Sequence, residues 1–172
     1  MKKFELTSET KINIFGKKLF RIKALISFGD VKAGETGGWV EKEGNINQSG
    51  NAWVSGNAWV FGDARVSGNA RVSGNARVSG NAMVSGDARV FDNAWVFGDA
   101  DYTTIRGFGT QFRTTTFFRC KDKKVRVACG CFFGTIPEFR EQVKKTRSGK
   151  IVEEYLMIAD LMEKHFEVKS NE

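Results

Sequence analysis

The sequence is poor in the residues that would indicate a disulfide-stabilised or membrane-spanning protein. It has one proline, one histidine and three cysteines among its 172 residues. Cys120, Cys129 and Cys131 form no CxxC pair and cannot all be bridged, which is typical of a reducing compartment. No apolar run approaches the ~20 residues of a membrane span, and the first residues contain no hydrophobic signal region. We therefore expect a cytoplasmic protein with no membrane partner.

The few cysteines and the single histidine give little support to a metal site or to catalysis. We expect Cys129 and Cys131 on one strand face with Cys120 opposite them, where a zinc site would lack its fourth ligand. Small buried hydrophobic side chains are the better interpretation. His165 lies near the end of the last predicted helix, which favours a surface role over a catalytic one. No metal, no cofactor and no catalytic residue are predicted.

The net charge of +7 is concentrated in one segment. Residues 1–100 hold 13 basic and 10 acidic side chains, a net of +3. Residues 101–150 hold 12 basic and 4 acidic ones, a net of +8, and the last 22 residues hold 2 and 6, a net of −4. Such a positive field attracts anions. The alternative, a solvated basic face that offsets an acidic helix, stays open.

The dominant feature is a six-residue repeat that runs without insertion from Gly50 to Thr103. Each unit has Gly first, with one exception, then Asn or Asp, then Ala and a variable residue, and the first eight units continue with Val. A single unit cannot bury its valine, so successive units must wind into a coil with a shared interior. Gly-Asn and Gly-Asp accept the positive φ of a sharp corner. The predicted interior valines are Val54, Val60, Val66, Val72, Val78, Val84, Val90 and Val96.

The repeat resembles that of the hexapeptide-repeat family, in which an aliphatic residue is followed four positions later by a small one, as in Val54 and Ala58. The segment GDVKAGETGGWVE, at residues 29–41, resembles the entry segment of YdcK-like transferases, bacterial and phage members of that family. The resemblance implies a left-handed parallel β-helix with three strands per coil and a homotrimeric assembly. We predict a mainly β protein with about three to four such coils, an N-terminal β-hairpin cap, and a C-terminal β-hairpin plus two α-helices.

With eighteen residues per coil, the variable positions fall on three faces. Trp53, Arg71 and Arg89 are predicted on one face, and Arg65, Met83 and Asp101 on another. Strands of adjacent coils lie about 4.8 Å apart, so Arg77 should contact a tryptophan on each side. The third face carries Trp59, Arg77 and Trp95. We expect the C-terminal segment or another subunit to cover it, and an aromatic ligand platform is the alternative. The predicted docking face consists of Trp59, Phe61, Arg77, Trp95 and Phe97.

The flanking segments suggest three domains. Residues 1–29 alternate as a β-hairpin cap, 30–103 form the β-helix with a degenerate first coil, and 104–172 form a basic hairpin with two helices. Thr135 begins a capping box, with a proline near the start of the first helix. The second helix should run from Lys150 to about Phe166, and its apolar stripe is expected to pack on the aromatic face of the coils or on the equivalent face of a neighbouring subunit.

The basic hairpin is the predicted ligand site, because Arg and aromatic side chains interleaved on a sheet can bind phosphates and stack on bases. Alternation places Arg113 and Arg119 on the same side. The alternative is a half-buried sheet with a turn protected by lysines. The predicted ligand-binding residues are Arg113, Arg119, Lys121, Lys123, Lys124, Arg126 and Phe133.

These features favour a non-catalytic binding protein that sequesters a small anionic, nucleotide-like ligand on an oligomeric scaffold. Compact phage proteins that sequester nucleotide immune signals are an analogy for such a protein. A scaffold module that contacts protein or nucleic acid is an alternative, with nucleic acid not favoured. A degenerate hexapeptide acyltransferase is a further one. The resemblance implies a coil histidine for acyl transfer, and residues 50–103 contain none.

Overall fold

The computed structural model describes residues 1–167, apart from the side chain of Asp99. The chain consists of two compact units, unit 1 (Met1–Asp99) and unit 2 (Ala100–Glu172). The predicted N-terminal cap and the coils lie in the same unit, and the last five residues of the predicted third domain lie outside the described part. No helix in the described residues is long and apolar enough to cross a membrane.

Unit 1 is built from two-residue strands that stack in parallel. Five of the repeat strands pair with the strand eighteen residues further on, as in Trp53↔Arg71 and Arg71↔Arg89. The predicted parallel solenoid is therefore confirmed, with about three coils where three to four were predicted. All eight repeat valines are fully buried. The repeat strands are β4 (Trp53–Val54), β5 (Trp59–Val60), β6 (Arg65–Val66), β7 (Arg71–Val72), β8 (Arg77–Val78), β9 (Met83–Val84), β10 (Arg89–Val90) and β11 (Trp95–Val96).

The coil ends one repeat unit earlier than the sequence period suggests. Asp101, predicted to stack on Arg65 and Met83, lies in the 3₁₀ turn Asp99–Asp101. Arg65 and Met83 pair as expected. A longer strand begins directly after that turn, at Tyr102. The six-residue spacing thus continues in the sequence for a few residues after the strand stacking has stopped.

The predicted N-terminal hairpin is confirmed, and it extends one sheet of the coil. Strands β1 (Phe4–Ile12) and β2 (Lys18–Ala24) pair antiparallel, and β2 pairs with β3 (Thr36–Val40). Strand β3 then pairs in parallel with β5, which gives the sheet order β1-β2-β3-β5-β8-β11. The degenerate first coil therefore begins at β3, and an isolated bridge between Ile46 and Val66 continues it on another side.

Two side chains complete the end of the coil where strands are missing. Within the coils, an N–H of one turn donates to a carbonyl of the next, as from Asn51 to Gly68 at 2.8 Å. Nζ of Lys3 donates to the carbonyl oxygens of Gly50 and Ala52, at 3.3 and 2.9 Å. Nδ2 of Asn45 does the same for the carbonyls of residues 62 and 64, at 3.1 and 2.8 Å. Buried acceptors are thereby satisfied without a further strand.

Unit 2 is a four-stranded antiparallel sheet followed by two helices. The apolar pattern of residues 124–133 predicts one continuous strand, but the chain reverses at Gly130, where φ is +60°. A fourth strand follows the reversal, so the predicted hairpin is larger than expected. The elements are β12 (Tyr102–Phe108), β13 (Arg113–Arg119), β14 (Val125–Cys129), β15 (Phe132–Thr135), α1 (Ile136–Thr146) and α2 (Lys150–His165).

Both helices begin where the sequence predicts, and their apolar sides form the core of unit 2. Thr135 and Glu138 form the capping box of α1, with Thr135 N donating to Glu138 Oε2 at 2.7 Å. The apolar stripe of α2 packs against α1 and the sheet of the same unit. The expectation that this stripe takes the aromatic face of the coils, or the equivalent face of a neighbouring subunit, as its partner surface is therefore wrong. The buried core of unit 2 includes Phe117, Val127, Phe139, Tyr155, Ile158 and Met162.

Candidate functional site

Unit 2 contains a cleft of about 110 Å³ beside its apolar core. The β12–β13 loop, the β14–β15 turn, the second half of α1 and Tyr155 of α2 line it. Its floor is apolar, with Phe132 and Phe139 in contact at a centroid distance of 5.5 Å. Its polar lining includes the side chains of Gln111, Arg113, Gln142 and Arg147. The cleft therefore combines an apolar base with several N–H donors.

Two guanidinium groups line this cleft without a carboxylate partner among residues 1–167. Arg113 is the first residue of β13 and lies against the β14–β15 turn. Its Nη1 is close enough to Gly130 that a Cβ added there would be 2.7 Å away. Arg147 follows α1, and its Nη1 donates to the carbonyl oxygen of Thr146 at 3.1 Å. Neither side chain forms an ion pair with a described residue. Their positive charges are thus available to an anion.

Tyr155 supplies a neutral wall to the cleft. Its hydroxyl donates to the carbonyl oxygen of Phe108 at 3.3 Å, and its ring packs edge-on against Phe139. Burial, followed by its interaction with Cys129, raises the pKa of Tyr155 above its usual value. The phenol therefore stays uncharged at neutral pH and does not repel an anion held by the arginines.

Of the predicted ligand residues on β13, Arg113 lines the cleft and Arg119 does not. Both lie on the side of the sheet that faces the helices, as the alternation predicts, but at opposite ends of the strand. Nη2 of Arg119 donates to the carbonyl oxygen of Phe166 at 2.6 Å, and its Nε is 3.3 Å from Asp101. Its guanidinium thus holds the C-terminal end of α2.

The other predicted ligand residues do not converge on the cleft. Nη2 of Arg126 is 2.8 Å from Asp122, on the side of β14 opposite the helices. Phe133 stacks on buried Phe118 with a centroid distance of 6.3 Å. A binding role for these residues stays a prediction. The turn between β13 and β14 carries Lys121, Lys123 and Lys124.

The cysteines of unit 2 are arranged differently from the prediction. Cys129 pairs with Thr115 near the start of β13, and the Thr115 hydroxyl donates to its sulfur at 3.1 Å. Cys120 follows the other end of β13, so it does not lie opposite Cys129 and Cys131. No group of three metal-ligating side chains comes together in the described part of the chain.

The aromatic face of the coils has the predicted cation–π arrangement. The guanidinium carbon of Arg77 lies 4.4 Å from the ring centroid of Trp59 and 5.3 Å from that of Trp95. The N-terminal hairpin covers part of this face, because Phe15 packs on Phe61 at 5.8 Å and Leu19 joins the same cluster. These contacts do not test the docking role of the face, which stays a prediction.

Sequence reasoning did not place Gln111, Gln142, Arg147 or Tyr155 in a site. In the sequence, Arg147 lies in the break between the two predicted helices, and Tyr155 occupies an apolar position of the second one. Chain topology brings them next to Arg113, and no repeat or short motif links the two arginines. The positive charge of residues 101–150 was the one signal that pointed to this region.

Short parallel strands that stack every eighteen residues around a valine interior define unit 1 as a β-solenoid. The family model described as "YdcK Beta solenoid repeat" matches residues 64–79 and 76–90. Together, the stacked coils and this match fit a YdcK-like β-helix family. All matched residues lie in unit 1. A comparison with curated proteins gives no match.

Proposed function

We propose that this chain is a non-catalytic binding protein that captures a small anionic, nucleotide-like ligand, with a phosphate group in the cleft of unit 2. The observation that carries the proposal is the pair of guanidinium groups, Arg113 and Arg147, which line one cleft without a carboxylate partner among the described residues. Arginine is well suited to phosphate because its planar fork of N–H donors matches the phosphate oxygens.

The size of the cleft favours a phosphate group over a whole nucleotide. A water molecule takes about 30 Å³ of liquid volume, so 110 Å³ accommodates only a few heavy atoms. The rest of the ligand would lie outside, where Phe108 and Phe112 are partly exposed, at 37 % and 65 %. Exposed aromatic rings beside a cationic cleft are suited to stacking on a base. Gln111 and Gln142 would add amide donors.

Capture without turnover is favoured over acyl transfer by the position of the single histidine. His165 ends α2, where its ring packs edge-on against Phe166 at 4.8 Å. It is therefore not part of the coils, where the family resemblance implies a catalytic histidine. A homotrimer remains part of the proposal, and light scattering should then give three times the 19.2 kDa mass of one chain.

Thermal-shift and calorimetric titrations with inorganic phosphate and with linear and cyclic nucleotides test the binding function. At least one nucleotide should raise the unfolding temperature of the native protein. Arg113→Gln and Arg147→Gln should each weaken its binding about tenfold or more, since one charge-assisted interaction is lost.

Lys121→Gln compares the cleft with the exposed lysine turn that the sequence predicts as part of the ligand site, because it removes one positive charge from that turn. It should leave the affinity within about twofold of the unaltered protein, as expected for a screened surface charge. The proposal fails if no nucleotide shifts the unfolding temperature. The cleft is the wrong site if Lys121→Gln weakens binding as much as Arg113→Gln does.

A further inference from the structure

Three cations on the tryptophan-bearing sheet of unit 1 share two neighbouring rings. Nζ of Lys11 lies 4.0 Å from the ring centroid of Trp39 and 4.7 Å from that of Trp59. The guanidinium carbon of Arg21 is 5.0 Å from Trp39, and that of Arg77 is 4.4 Å from Trp59. A hairpin strand, its partner and a coil strand thus bring three positive charges to one surface.

These charges have no carboxylate partner in the part of the chain that the structure describes. Other cations of the same unit are paired, as Lys17 is with Glu41 at 3.1 Å. Glu9 acts on Lys11 electrostatically but forms no ion pair with it. The buried Nε of Arg21 and Nε1 of Trp39 also have no acceptor among the described residues. The cluster therefore has more donors than acceptors.

Repulsion among the three cations affects the pKa of Lys11. Burial, followed by the charges of Arg21 and Arg77, lowers the pKa of Lys11 from 10.5 to about 8. The nearby carboxylate of Glu9 opposes this shift without cancelling it. An anion placed on this surface would relieve the repulsion and raise that pKa again.

The ring faces restrict the kind of ligand. Trp39 is 6 % exposed, and Trp59 has Lys11 and Arg77 within 4.7 Å of its ring centroid, so these two rings offer a base little open surface for stacking. Recognition is left to charge and N–H donation, and three cations favour an anion with several charges. We infer that Lys11, Arg21 and Arg77 form a second anion site, for a multiply charged oxyanion such as a polyphosphate chain.

Calorimetric titration of the full-length protein with sodium tripolyphosphate tests the site. Lys11→Gln and Arg77→Gln should each weaken binding about tenfold or more, because each removes one of three cations. The variable position of the coil accepts an uncharged side chain, as Met83 shows, so Arg77→Gln should keep the far-ultraviolet circular dichroism of the native protein. Lys32→Gln, at an exposed lysine between β2 and β3, is the matched control and should bind normally.

Two further measurements are specific to this geometry. At pH 8, tripolyphosphate binding should take up protons, detected as a dependence of the heat on the ionisation enthalpy of the buffer. Lys11→Arg should bind without that uptake. A nucleoside triphosphate should bind this site within about threefold of tripolyphosphate, when measured in the Arg113→Gln background, because Trp39 and Trp59 offer its base little open ring surface.

The inference is wrong if Lys11→Gln and Arg77→Gln bind tripolyphosphate as well as Lys32→Gln does. It is also wrong if Arg113→Gln alone abolishes tripolyphosphate binding, which would assign the anion to the cleft of unit 2. A nucleoside triphosphate that binds more than tenfold tighter than tripolyphosphate in that background would overturn the assignment of an oxyanion ligand.

Discussion

The ammonium group of Lys3 takes the place of a strand at the open end of the solenoid. Lys3 is 2 % exposed, and its ammonium group donates to two carbonyls that would otherwise face a missing coil. At pH 9 most of this amine is neutral, since burial and then the charge of Arg71 lower its pKa to about 8. A neutral amine still has two N–H donors, so both hydrogen bonds can persist.

We expect Lys3→Met to destabilise the protein at pH 9, because methionine keeps the chain length and loses both donors. An unsatisfied buried carbonyl costs about 1–3 kcal/mol, so the free energy of unfolding should fall by about 2 kcal/mol or more. Urea denaturation followed by circular dichroism measures this change. Lys2→Met, which removes only the exposed ion pair with Glu43, should cost less than about 1 kcal/mol. Equal losses in the two variants would contradict the capping role.

Stability should rise with pH between about 8 and 10. Lys3 and Lys11 both have pKa values near 8 in the folded chain, against 10.5 when unperturbed. Within this window the unfolded chain binds more protons than the folded chain, and raising the pH then favours folding. Below about pH 7 both states hold these protons, so the two lysines add no pH dependence there.

Urea denaturation at pH 7.5, 8.5 and 9.5 measures this pH effect. The double variant Lys3→Met/Lys11→Arg should show a flatter pH dependence, because neither replacement titrates in that window. A parallel dependence in the native protein and the double variant would show that other groups cause it. Tyr155, with its raised pKa, acts in the opposite direction only above about pH 10, outside these measurements.

Single residues differ in how far the sequence predicts their surroundings. The register of the repeat placed Arg77 between Trp59 and Trp95 correctly, because an eighteen-residue period converts spacing into contact. No such rule applies to Lys3 or Arg147. Lys3 is buried only because the hairpin turns it toward the first coil, and Arg147 reaches the cleft only through the packing of α1 on the sheet.

Corner glycines of the coil offer a matched test of strand stacking. Gly80 has φ of +61° and Gly86 has φ of +65°, so alanine is strained to a similar degree at both positions. A Cβ at Gly80 would overlap the carbonyl oxygen of Phe97 in the next coil, whereas a Cβ at Gly86 has no atom within 4 Å. Asp92, with φ of +61°, shows that a corner can hold a residue with a Cβ.

Gly86→Ala should therefore cost about 1–2 kcal/mol, the price of a left-handed conformation for alanine. Gly80→Ala should cost clearly more, because backbone of the adjacent coil has to move. Thermal and urea unfolding of the two variants provide the comparison. Similar losses would mean that the corner relaxes freely, and that the spacing between these coils is not tightly fixed.

At the scale of elements, regular patterns were predictable and irregular turns were not. The helices follow from the capping box at Thr135 and the apolar spacing of α2, and both begin where expected. The β14–β15 hairpin was missed because Cys129, Cys131 and two phenylalanines read as one continuous apolar strand around Gly130. Both faces of β13 are buried at Phe117 and Phe118, so simple alternation could not show which face meets the helices.

At the scale of the whole molecule, each unit carries its own spectroscopic reporter. All four tryptophans of the chain lie in unit 1, at residues 39, 53, 59 and 95. Both α-helices among the described residues lie in unit 2. Tryptophan emission therefore reports on the solenoid, and ellipticity at the helical wavelength reports on the sheet-and-helix unit. The two proposed anion sites can be followed separately in one intact protein.

We expect opposite losses in two single variants. Arg113→Gln should abolish the stabilisation of the helical signal by a nucleotide and retain the change of tryptophan emission on adding tripolyphosphate. Arg77→Gln should lose the change of tryptophan emission and retain the stabilisation of the helical signal by a nucleotide. It leaves the cleft intact and removes one cation beside Trp59. Parallel titrations of both variants with both ligands measure this. If either variant lost both responses, the chain would have one anion site, and the variant would show which unit contains it.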